Sequence, residues 1–272
     1  MKRLVVTADD FGWSEARNRG IIECVERGIV TSVSLLANFS AAPQAMEFCR
    51  KADVGIGVHL DLTEGRSLTG GLATLTGSDG RFLGKAEVRD RARKGVVDPS
   101  EAEREMEAQV ARVIEAGLRA THLDGHQHIH VYGPFVGPTV RVARRFGIRW
   151  IRCPLDDDLE GIPVSAERRA ALAEYEALGR AARQELGRAG LRSADHFRGA
   201  ALAHQLRPEA VEAMLRRLPE GITEYMTHPG YAESGHDFSG PPREEEVRIL
   251  TDPGTRRLLG DGGIELTHFG RL

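Results

Sequence analysis

The histidines and aspartates of this chain gather where such side chains can hold a metal ion and move protons. Four of the ten histidines lie within Thr121–His130, T-H-L-D-G-H-Q-H-I-H. Imidazole binds borderline divalent cations, and a carboxylate or carbonyl on its other nitrogen fixes the tautomer. Asp9 and Asp10 stand side by side after an apolar run. Two adjacent carboxylates repel each other unless a cation or a proton separates their roles. The residues alone read as one metal ligand and one general base; the competing reading is a pair that caps the next helix. His59 sits in G-V-H-L-D-L-T-E-G (Gly57–Gly65), with Asp61 on its face as a supporting partner. His228, in E-Y-M-T-H-P-G (Glu224–Gly230), follows a strand, where an imidazole can protonate a leaving group opposite the base. Arg152 either holds Asp9 ionised and oriented or is an ordinary surface arginine. One Asp and two His from different strand ends leave coordination positions open, which is a catalytic arrangement, not a closed structural one.

The elements that must carry these residues alternate. Strands are expected at Arg3–Ala8, Val30–Leu36, Val54–Leu60, Ala120–Asp124, Ile148–Cys153, Ile222–Thr227 and Ile264–Phe269, all short apolar runs. Helices are expected from Ser14 to Arg27, Ala42–Lys51, from Asp98 past Leu118, Pro138–Phe146, Pro208–Leu218 and Pro242–Arg257. Gly70–Gly84 reads as a turn-rich excursion over the site, and Pro154–Pro163 as an acidic loop. Ala166–Arg188 is an Ala/Arg/Glu-rich helix, expected to be an exposed insertion near 155–192 within a single domain spanning 1–272. Alternating strand and helix predict a parallel sheet, whose site lies at the carboxyl ends of the strands. Seven histidines fall near such ends: His59, His122, His126, His128, His130, His228 and His268.

Composition narrows the partners. With 37 Lys plus Arg against 40 Asp plus Glu, the net charge of -3 offers no field for a nucleic-acid backbone or an anionic membrane. Cys24, Cys49 and Cys153, an odd count without C-x-x-C spacing, are neither a disulfide framework nor a thiolate zinc site, and free thiols fit a cytoplasmic protein. No apolar run approaches the roughly 18 residues of a membrane-spanning helix.

T-A-D-D-F-G (Thr7–Gly12), V-T-S-V-S-L-L (Val30–Leu36), G-V-H-L-D-L-T-E-G, T-H-L-D-G-H-Q-H-I-H, D-H-F-R-G (Asp195–Gly199) and T-H-P-G occur in register. Together they resemble the YdjC/ChbG family of carbohydrate deacetylases over nearly the whole chain, least so at Leu155–Arg192. The resemblance implies an irregular, TIM-like (β/α) barrel of the NodB deacetylase type and one divalent metal ion, magnesium or zinc. By motif position, Asp10, His59 and His126 match the metal ligands, Asp9 the general base and His228 the general acid. Arg152, Asp124, His128, Phe11 and Glu224 are carried as substrate-binding or supporting residues, and Trp13, Phe11, Tyr132 and Tyr231 as rings that stack on sugars. The partners expected are an acetylated mono- or oligosaccharide and a second copy in a homodimer, with no nucleic acid and no membrane. Two other functions compete. A metal-dependent phosphoesterase needs more bridging carboxylates and a Gly-rich phosphate cradle, which is lacking. A sugar-binding protein without turnover has no need of Asp9 beside Asp10.

Overall fold

Side chains on a strand alternate between two faces, and in this molecule one of those faces is the inside of a barrel. The computed structural model describes residues 1–156, 164–203, 205–234 and 238–272. Its strands are β1 (Lys2–Phe11), β2 (Ser32–Leu35), β3 (Gly55–Leu60), β4 (His122–Gly125), β5 (Trp150–Ile151), β6 (His196–Arg198), β7 (Gly221–Thr227) and β8 (Ile264–Leu266). They pair in parallel in the order β5-β4-β3-β2-β1-β7-β6. The strand β8 pairs with Lys2–Leu4 of β1, below the Thr7–Phe11 stretch that pairs with β2. Single parallel bridges, Trp150 to Arg192 and Asp156 to Phe197, join the two edges of the sheet. The result is an irregular (β/α) barrel, as the resemblance implies.

Helices α1 (Glu15–Arg27), α2 (Ala42–Cys49), α3 (Lys85–Lys94), α4 (Pro99–Glu115), α5 (Gly133–Arg145), α6 (Ala166–Arg188), α7 (Pro208–Arg216), α8 (Pro241–Thr251) and α9 (Pro253–Asp261) connect the strands. Outward residues of the strands, such as Leu4, Val6 and Ala8 of β1, are fully buried beneath these helices. Inward residues form layers. Val5, Trp150, Ala194 and Phe269 make an apolar plug at the amino end, with Ile222 packed against it. Further along the same strands, Asp9, Arg152 and Glu224 fill the carboxyl end with charge.

Several expectations are corrected. The 23-residue α6 is no exposed insertion: it is the crossover between β5 and β6, with Leu172, Tyr175, Ala182 and Leu186 buried. The acidic stretch before it lies mostly outside the described residues, from 157 to 163. The chain from Pro242 to Arg257 is two helices, broken where Asp252 caps α9 through Gly254 and Thr255 N–H. The helix placed at Pro138 starts at Gly133, with Pro134 in its first turn. His268 and His122 do not lie at the mouth. His268 sits beside Gly55, at the amino end of β3, and faces Asp53 at 3.6 Å. His122 packs on Phe269 over Gly57, where an added Cβ would fall 2.3 Å from its Nε2. No helix among the described residues is long and apolar enough to cross a membrane.

Candidate active site

The paired carboxylates enter the site through a break in strand geometry. β1 continues through Phe11, but its register with β2 shifts between Ala8 and Phe11, and Asp10 adopts φ of 66°. This left-handed residue resets the alternation, so neither aspartate caps α1; Ser14 does that, its Oγ accepting from Arg17 N–H at 3.2 Å. Asp9 receives a two-pronged bond from Arg152, Nη1 to Oδ2 at 2.6 Å and Nη2 to Oδ1 at 2.8 Å. Arg152 is no surface arginine. It is fully buried, and it also donates to Glu224 at 2.9 Å and meets Asp124 at 2.8 Å. One planar guanidinium reaching all three carboxylates offsets much of the cost of burying them.

Asp10 is held from the opposite side. Arg17 donates to its Oδ2 at 3.1 Å, and Arg243 of α8 donates to the same oxygen. Its Oδ1 is buried without a well-aligned hydrogen bond and faces His126 Nδ1 at 3.2 Å and His59 Nε2 at 3.7 Å. Asp10, His59 and His126 thus offer three ligand atoms within 4.8 Å of one another, all from buried residues. Behind each imidazole stands a carboxylate. His59 Nδ1 meets Asp124 Oδ1 at 2.8 Å, and Ser34 Oγ donates to that same oxygen. His126 Nε2 lies 3.3 Å from Glu64 Oε2, whose other oxygen accepts from Gln127 at 2.8 Å. A carboxylate on the far nitrogen is the usual support of a metal-binding histidine. An under-bonded Asp oxygen facing two such imidazoles is a donor set that fits a divalent cation.

The electrostatics follow from these contacts. Burial would raise the Asp10 carboxyl, but Arg243, His126 and Arg17 outweigh it and hold the group well below the usual carboxylate range. At Asp9 burial wins against Arg152 and His59, and its pKa is raised. Burial also carries Glu224 up to about 7 against the pull of Arg152. His126 is desolvated, yet Asp10 and Glu64 push it up to about 10 before any cation binds. His59 is likewise raised against its burial by Asp124 and Asp9. Burial and Arg152 drive His128 well below the ordinary histidine value, keeping it neutral.

The remaining candidates divide. His128 is buried, edge-on to Tyr175 and Phe197, with centroids at 4.8 and 6.0 Å. Phe11 is a core residue, fully buried and edge-on to Phe48, so it presents no ring to a sugar. Tyr132 is buried as well, its ring under the Arg89 guanidinium at 5.1 Å. Trp13 keeps a partly open ring, stacked on Phe39 at 4.3 Å and 5.6 Å from His126. Asp61 hydrogen-bonds no histidine among the described residues. It accepts from Thr63, Glu64 and Asn38 instead. His228 follows Thr227, the partner of Ala8 in the register of β1 and β7, which puts it abreast of Asp9. Sequence reasoning missed Ser34, Glu64, Arg17 and Arg243. Only Ser34 carried a signal, as a hydroxyl in the middle of an apolar strand. A cavity of about 310 Å³ between Arg119, Trp150, Arg192 and Phe269 lies at the amino end and contains none of these groups.

A model of the YdjC-like protein family matches residues 3–261. A human protein named carbohydrate deacetylase is 36% identical over 293 residues, covering 99% of this chain and 91% of its own. Another of that name, from Brevibacillus brevis, is 30% identical and covers 99% of each chain. A solved structure from Enterococcus faecalis, described as a cellobiose-phosphate cleavage protein, superposes with a TM-score of 0.76 at 25% identity, covering 99% of this chain and 98% of that one. With a family model spanning almost the full length and a barrel rim built from the same motifs, the chain belongs to the YdjC-like protein family.

Proposed function

We propose that this protein is a metal-dependent carbohydrate N-deacetylase, removing acetyl groups from N-acetylated sugars of the chitooligosaccharide kind. The observation that carries the reading is the meeting of Asp10, His59 and His126, from the ends of β1, β3 and β4, beside a second carboxylate, Asp9. The names borne by the relatives support the substrate class. Asp10, His59 and His126 would hold the cation, which when bound acidifies water and polarises an acyl oxygen, a contribution of several kcal/mol. Of the two ions in this reading, zinc suits a set of one carboxylate and two imidazoles better than magnesium, which prefers oxygen ligands. Asp9 takes the proton of the attacking water. Arg152 keeps its carboxylate oriented while burial keeps it basic, a balance that suits a general base. The C–N bond then breaks as the His228 imidazolium gives its proton to the departing nitrogen. Base and acid each contribute about 10²–10⁴-fold in such reactions. A cytoplasmic setting belongs to the same reading, supported by three buried, unpaired cysteines.

The test is to incubate purified protein with N,N′-diacetylchitobiose and each of magnesium, manganese and zinc, measuring acetate and free amine together. Equal release of both, abolished by a chelator, is expected. Release of phosphate from sugar phosphates without acetate from any N-acetylated sugar would instead favour the phosphoesterase.

A further inference from the structure

The residues from His228 to Gly230 leave β7 as a loop. Proton transfer needs its donor placed closely, and a displacement of about 1 Å can cost 10²-fold. The placement comes from α8. Glu246 accepts the His228 N–H, Arg243 Nη1 donates to the His228 carbonyl at 3.2 Å, and the Arg243 carbonyl accepts from Gly230 N–H at 3.3 Å. α1 closes the other side. Gly20 lies so near the loop that an added Cβ would fall 2.5 Å from Gly230 Cα. Both peptide groups of His228 are therefore tied to two side chains three residues apart on one helix, and those side chains are 2% and 1% exposed.

The same Arg243 has a further arm on Asp10, through Nη2, while its Nε donates to the Phe238 carbonyl. One rigid planar fork thus touches both the peptide of His228 and the carboxylate of Asp10. Arg17 shares only the second contact; its other donor goes to Ser239, not to the His228 loop. We propose that Arg243, seconded by Glu246, is a positioning residue that sets the distance between the His228 imidazole and the cation site at Asp10. Proton delivery to the leaving nitrogen is thereby kept in step with the metal centre. The inference rests on the deacetylase reading, with His228 as its acid.

A substrate pair separates this role from a merely structural one. An amine must be protonated to leave, whereas 4-nitrophenolate leaves without a proton. Arg243→Gln is expected to lower kcat on N,N′-diacetylchitobiose about 100-fold with KM within about threefold, the loss a displaced acid produces. Arg243 also supports Asp10, so the manganese dissociation constant of this variant, read by calorimetry without substrate, should rise by about 10-fold or more, and at saturating manganese its rate on 4-nitrophenyl acetate should fall far less than its rate on the amide. Methylguanidinium added to Arg243→Ala should restore part of the N,N′-diacetylchitobiose rate. Glu246→Gln, which leaves Asp10 untouched and covers the case of a misfolded Arg243 variant, should shift the amide-to-ester ratio the same way by about tenfold. Amide and ester rates falling together at saturating manganese in both variants, or manganese affinity falling in Glu246→Gln, would overturn the proposal. His228→Ala is the control. If it leaves the amide-to-ester ratio unchanged, the acid assignment fails and the clamp with it. If it shifts the ratio while Arg243→Gln and Glu246→Gln do not, only the clamp fails.

Discussion

The two ends of the barrel interior are built on the same strands with opposite chemistry. On the chain entering β5 and leaving it, Trp150 points into the apolar plug and Arg152, two residues on, into the charged cluster. On β7, Ile222 and Glu224 repeat the pair, and on β1 Val5 and Asp9 do so four residues apart. Both ends are buried, so burial does not distinguish structure from chemistry. What distinguishes them is how each group is satisfied. The plug needs only shape. The rim holds Asp9, Asp124 and Glu224 around one guanidinium, and leaves Asp10 Oδ1 facing two imidazoles.

Perturbing one end at a time tests that contrast. Asp9→Asn should lower turnover by about 10²–10⁴-fold while metal content holds, with a lower melting temperature because its amide NH2 meets a buried Arg152 N–H. Near-parent turnover would return Asp9 to a structural role. Arg152→Met takes the guanidinium from three buried carboxylates, leaving Asp9 and Glu224 without their hydrogen-bond donor, and should cost about 3–5 kcal/mol of stability, read by urea denaturation. Trp150→Leu, two residues below it, should cost about 1–3 kcal/mol yet leave kcat per folded molecule near the parent value. If Trp150→Leu lost turnover as deeply as Arg152→Met, the division of labour between the ends would be wrong. Asp124→Asn weakens the support behind His59 and should reduce metal affinity by about 10–100-fold, measured by calorimetry.

The gentlest contrast is in pH, for the metal-free protein. His126, raised to about 10 when folded, contributes stability that is complete below the unfolded value of 6.5 and is lost as pH rises through 10. His122, towards the other end, is lowered to about 3 by burial, so its contribution is present above 6.5 and is lost as pH falls towards 3. His126→Gln should therefore flatten the alkaline limb of the stability profile and His122→Gln the acid limb. Denaturation curves over pH 4–10 that moved on the same limb for both would contradict a protonated His126 and a neutral His122.

Much of this was legible in the chain. Apolar runs marked β1, β3 and β7, and the motifs at their ends named Asp9, Asp10, His59, His126 and Asp124. Other parts were hidden for physical reasons. α3 buries only Val88, Arg89 and Ala92, too narrow a stripe to stand out among its charges. β6 is three residues long and borrows its order from β7. Arg17 and Arg243 look like solvated helix arginines until the barrel brings Asp10 beneath them, because long-range pairing leaves no periodic trace. His122 and His268 misled for the converse reason. Placing a histidine near a strand fails to say which end it faces when β8 pairs only with the amino half of β1.

The most direct test of the account is anomalous diffraction from crystals grown with manganese. The account predicts one strong peak per chain, within coordination distance of Asp10 Oδ1, His59 Nε2 and His126, with Asp9 still paired to Arg152. A peak seated between Asp9, His59 and Asp124 instead, or no ordered ion at the rim at saturating manganese, would contradict it.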